Sequence, residues 1–107
     1  HVADLAVGHL RALEKIESLK FFQILNLGVG KSTSVKQLIG HFENFNQVRI
    51  KTKMSARRQG DVAKSFADPS LAEQLLGFHC VKSMEDICKD TWNWVQKNPR
   101  GYVGEEV

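Results

Sequence analysis

The residues best suited to chemistry fall in one short stretch, Ser55-Ala56-Arg57-Arg58-Gln59-Gly60-Asp61. Two adjacent guanidiniums precede a glycine that frees the backbone. A carboxylate follows the second arginine by three residues. A guanidinium presents a planar fork of donors that suits phosphate oxygens. The carboxylate can accept from a sugar hydroxyl, or it can hold an arginine in place. The same residues also fit an exposed turn whose charges face water.

Other constellations carry less. Gly30-Lys31-Ser32 copies the tail of a phosphate-binding P-loop, but the first glycine of that pattern would fall at position 25, which is Leu25. No carboxylate for magnesium stands at a strand end, so ATP or GTP hydrolysis is set aside. Lys51, Lys53, Arg57 and Arg58 make the densest positive patch. It has no interleaved aromatics for base stacking, and no nucleic-acid partner is expected. His9 has no second His, Asp or Glu at ligand spacing on its helix face, so no metal is expected. Cys80 and Cys88 fit neither a disulfide framework nor a zinc ligand set and read as small buried side chains in a reducing compartment. No Ser/His/Asp arrangement and no carboxylate pair is supported by spacing.

The elements that must position the arginine corner can be read from periodicity. The chain has 107 residues, 42% hydrophobic and 25% charged, with a formal charge of +3. That suits one small domain over 1–107 with a modest core, leaving apolar surface for a partner. Residues 1–20 carry an amphipathic stripe with Asp4 as N-cap. Residues 21–27 form an apolar run that predicts a strand feeding a glycine loop over 28–33. A helix follows from Ser34, with Val35, Leu38, Ile39 and Phe42 inward. Residues 48–54 alternate, placing Val48, Ile50, Thr52 and Met54 on one face, and predict a half-buried strand. Residues 64–67 could add one more. Asp68-Pro69-Ser70 opens a helix that stops at Gly77, with Phe78 packing back. Ser83 caps the last helix, whose stripe runs Met84, Ile87, Cys88, Thr91, Trp92 and Val95; Trp94 lies off it. Asn98-Pro99-Arg100-Gly101 ends it, and 102–107 read as a frayed tail. The expected class is therefore α/β, a small mixed domain of about four helices and two to three short strands. No apolar run long enough for a bilayer and no signal peptide is visible, so no membrane partner is expected. The chain begins at His1 without an initiator methionine and is expected to be a fragment.

Arg57-Arg58-Gln59-Gly60-Asp61, then Asp68-Pro69-Ser70, resembles the C-terminal substrate domain of the UDP-glucose 4-epimerases, which are extended short-chain dehydrogenase/reductases. The resemblance takes in residues 1–9, Asn26-Leu27-Gly28-Val29-Gly30, Ser34-Val35, Leu76-Gly77-Phe78, Asp90-Thr91-Trp92-Asn93-Trp94 and Asn98-Pro99-Arg100-Gly101-Tyr102. It implies that Arg58 pairs with the UDP diphosphate, that Asp61 contacts the uridine ribose and that Val35 lines the uracil pocket. It implies a UDP-sugar substrate, and NAD as cofactor of the full-length enzyme, not bound by this fragment. It further implies a missing N-terminal NAD-binding domain, a full-length homodimer and a cytoplasmic location. The family's glycine-rich dinucleotide turn and Tyr-x-x-x-Lys pair are not in this chain; four residues after Tyr102 stands Glu106. No catalytic residue is therefore assigned, and the chain alone is expected to be inactive. A reading from another class is a non-catalytic domain that binds a protein or polyanion through its basic strand.

Overall fold

The computed structural model describes residues 1–20 and 22–101. Four helices carry the fold: α1 (Val2–Glu14), α2 (Val35–Asn46), α3 (Ser70–Leu76) and α4 (Met84–Lys97). A single 3-10 turn, Ile16–Ser18, follows α1. The expected tail over 102–107, and Phe21 at the head of the first expected strand, lie outside the described residues.

The expected α/β class does not hold. Among the described residues there is no strand; residues 22–27, 48–54 and 64–67 run without a β-ladder. Alternation specifies which way side chains point, but a strand exists only when a second extended segment takes its N–H and C=O groups. None of the three segments meets another in that way. Residues 48–50 are held instead by a helix side chain: Glu43 Oε1 accepts from the Ile50 N–H at 2.7 Å. The expected inward face also fails along its length. Val48 and Ile50 are half-buried, whereas Thr52 is exposed and Met54 is 81% exposed.

Local signals set the helix ends. Ser34 and Ser83 each form a reciprocal capping box, with Gln37 and Asp86 respectively. α3 ends at Gly77, whose φ of 63° is the left-handed conformation that glycine adopts without a Cβ penalty. Asp68 accepts from the Ser70 N–H at 3.0 Å, just ahead of α3. α1 departs from expectation. Its cap is the His1 side chain, accepting from the Ala3 N–H at 3.0 Å.

Asp4, expected to cap α1, is instead buried at 3% exposure and accepts from the N–H groups of Val81 and Lys82, both at 3.2 Å. That carboxylate ties the first helix to the entry of the last. Nearby, α1 packs on α3, and the fully buried Phe78 sits with Ala72 and Leu76 beneath Leu25 and Leu27. Gly8 allows the approach, since a Cβ there would meet Leu27 Cδ1 at 2.6 Å and Phe78 at 3.2 Å. The second packing unit joins α2 to α4. Phe42 and Trp92 meet edge to face at 5.9 Å, and Asn46 Nδ2 donates to the Cys88 carbonyl at 3.2 Å.

These contacts cover little of the molecule. Among the described residues only Ala72, Leu76, Phe78 and Cys88 are fully buried apolar side chains. The radius of gyration is 17.5 Å, against about 13 Å for a compact chain of this length.

Replacing Asp4 by Asn keeps the size and one acceptor oxygen but turns an NH2 toward a backbone donor. We expect Asp4→Asn to destabilise the fold by about 1–3 kcal/mol, read by urea denaturation. An unchanged midpoint would mean that the carboxylate does not secure the 81–82 segment.

Candidate functional site

The arginine corner is built by a turn. The Asp61 N–H donates to the Arg58 carbonyl at 3.3 Å, closing a four-residue β-turn with Gly60 at its third position. Gly60 has φ 89°, and Gln59 does not share the positive φ. That combination is the type II signature, which needs φ above zero at the third residue alone. The turn folds the carboxylate back on its own arginine, with Arg58 Nε 3.5 Å from Asp61 Oδ2. Asp61 thus stands beside the guanidinium as an ion pair.

The pair is open to water. Arg58 is 87% exposed and Asp61 45%, so its Coulomb gain is small and screened. Every residue from 51 to 66 is exposed. Val35 stands at the first position of α2 and is 73% exposed. Cavities of about 230–450 Å³ lie elsewhere on the described residues, and Val35, Arg58 and Asp61 line none of them. The structure thus brings Arg58 and Asp61 together, and does not join Val35 to them in a shared concavity.

The glycine loop before α2 lies against the 67–69 segment. A Cβ at Gly28 would meet the Ala67 methyl at 3.0 Å, and one at Gly30 would meet Pro69 at 3.4 Å. Gly28 thus sits tight against the 67–69 segment, while Gly30 is in ordinary contact with it.

Burial pushes the Cys80 thiol above its usual range, helped by the Asp4 charge, and burial alone does so for Cys88. Both are free, and neither is activated as a nucleophile. The His9 ring is used locally, Nδ1 lying 2.8 Å from the Leu5 carbonyl one turn back. Among the described residues no group of three or more His, Cys, Asp or Glu could hold a metal ion. No described helix is long and apolar enough to cross a membrane. Trp94 is half exposed and, with Val2 and Ile87, lines an apolar cavity of about 450 Å³ between the start of α1 and α4.

One residue with a structural part at this site escaped the sequence reading: Glu43. Nothing in its spacing marks it, because its partner is a backbone N–H seven residues away.

The chain is similar in backbone and in sequence to UDP-glucose 4-epimerases. Its backbone matches a UDP-glucose 4-epimerase from Stenotrophomonas maltophila, solved with bound NAD and formylated UDP-arabinopyranose, at a TM-score of 0.88 and 41% identity over 94% of this chain and 30% of that one. The enzyme from Bifidobacterium longum, in complex with NAD+ and UDP, matches at a TM-score of 0.85 and 35% identity over 95% and 30%. No protein-family model matches. In sequence the chain is 44% identical to the UDP-glucose 4-epimerase of Pasteurella multocida (strain Pm70) and 41% identical to that of Homo sapiens, each over 95% of its length. The chain is a homologue of the UDP-glucose 4-epimerases and spans about 30% of their length.

An exposed pair on an uncovered turn should carry no share of the fold's stability. Asp61→Asn is expected to leave the thermal midpoint of this chain unchanged, by calorimetry. A marked drop would show that Asp61 is a structural anchor and not a free ligand group.

Proposed function

We propose that this chain is the UDP-sugar-binding, C-terminal portion of a UDP-glucose 4-epimerase, acting as one domain over 1–107. In this reading the complete enzyme interconverts UDP-galactose and UDP-glucose and is a cytoplasmic homodimer. The observation that carries the proposal is the homology that runs along 95% of the chain. Arg58 takes the diphosphate, Asp61 the uridine ribose and Val35 the uracil. NAD and the groups that move the hydride and proton belong to the remaining polypeptide.

Surface area supports the same reading. A compact 12.1 kDa protein exposes about 6,000 Å², whereas this chain exposes 9446 Å². Large apolar side chains are part of what is exposed. The outward side of α1 carries Val2, Leu10 and Leu13, and Phe22 and Ile24 lie open on the segment after it. Contiguous exposed apolar surface on this scale marks a contact area. The remaining polypeptide would cover it and supply the other wall of the nucleotide site. Enclosed there, an arginine–diphosphate pair gains strength that it lacks in open water.

Three experiments test the proposal. In the complete polypeptide, Arg58→Ala should raise the KM for UDP-galactose at least tenfold. Arg58→Lys should recover little, because a point charge cannot form the bidentate fork. A wild-type KM in Arg58→Lys would remove the bidentate role. The 107-residue chain should show no epimerase turnover with UDP-galactose and added NAD+. UDP should bind in preference to heparin with only a modest salt dependence. Indiscriminate polyanion binding with a steep salt slope would favour a non-catalytic role for Lys51, Lys53, Arg57 and Arg58.

A further inference from the structure

Glu43 holds three backbone donors at once. Its main-chain carbonyl accepts from the N–H groups of Gln47 and Val48, the latter at 3.2 Å, and its carboxylate accepts from the Ile50 N–H at 2.7 Å. Residues two apart on an extended chain present equivalent groups to the same side. One residue in the last turn of α2 therefore does for residues 48–50 what a neighbouring strand would do. The reversal that brings them there is made by Gln47, left-handed at φ 54°, with its Nε2 donating to the Asn44 carbonyl at 2.6 Å. Asn46 fixes the same helix end to α4 through the Cys88 carbonyl.

Beyond residue 50 the chain has no comparable hold. Residues 51–66 are all exposed. Between Ile50 and the Arg58–Asp61 turn, the only side-chain hydrogen bond among the described residues is local, from Ser55 to the Ala56 carbonyl. Eight residues of extended chain reach up to about 26 Å. The anchor at residue 50 therefore fixes the origin of the region that Arg58 can reach.

We infer that Glu43 is a positioning residue: by clamping residue 50 to the helix that begins at Val35, it sets where the Arg58 turn lies relative to the uracil end of the site. The inference rests on the nucleotide-sugar reading above. It assigns Glu43 no contact with substrate, so its effect must pass through Arg58.

The test is a double-mutant cycle in the complete polypeptide, with Ile50 amide exchange followed in parallel. Glu43→Ala should raise the KM for the UDP-sugar roughly fivefold to tenfold with kcat little changed, and should speed exchange at Ile50. Glu43→Gln retains an acceptor oxygen and should restore most of the affinity. In an Arg58→Ala background, Glu43→Ala should add little, since the group it aims is gone. Should Glu43→Ala fail to fold, Ile50→Pro removes the donor from the other side of the same bond and should give the same KM change. An unchanged KM despite faster Ile50 exchange, or an equal effect with and without Arg58, overturns the inference while leaving the reading intact. A wild-type protein that does not bind UDP overturns both.

Discussion

The structure is governed by a shortage of enclosure. With Phe78, Leu76, Ala72 and Cys88 as its only fully buried apolar side chains among the described residues, the chain has two small packing units and no common core. One gathers α1 and α3 around Phe78, and the other sets α2 on α4. Hydrogen bonds from side chains to backbone carry the connections that a larger core would otherwise enforce. Asp4 secures the 81–82 segment, Asn46 the α2–α4 contact, and Glu43 the chain that leaves α2. Each satisfies a backbone group that packing alone would leave unpaired.

The arginine corner follows from the same shortage. Its turn is complete in itself, needing only a glycine at φ 89° and a backbone bond from Asp61 to Arg58. The pair it creates sits in water and holds nothing else together. The guanidinium has an acidic neighbour at 3.5 Å, and its other donors are unused by the described residues. Homology to the UDP-glucose 4-epimerases runs along nearly all of the chain, which spans about 30% of their length.

Much of this could be read from the sequence because it is local. Ser34 and Ser83 cap their helices, Gly77 ends α3, and Phe78 packs back, all set by chemistry within a few residues. The Arg58–Asp61 pairing has the same origin. The strands were misread because alternation over 48–54 describes side-chain direction and says nothing about who takes the backbone bonds. Here the answer was a glutamate seven residues upstream. Asp4 was misassigned for a related reason. Its position at a helix start fits a cap, but its true partners are 77 and 78 residues away, and no spacing rule reaches that far.

The most direct measurement is a crystal structure of the complete polypeptide with UDP bound. The Arg58 guanidinium should lie within hydrogen-bond distance of the diphosphate, with Val35 against the uracil and the outward side of α1 at Leu10 and Leu13 covered by protein. A nucleotide bound elsewhere, with Arg58 still turned to solvent and α1 still bare, would contradict the assignment.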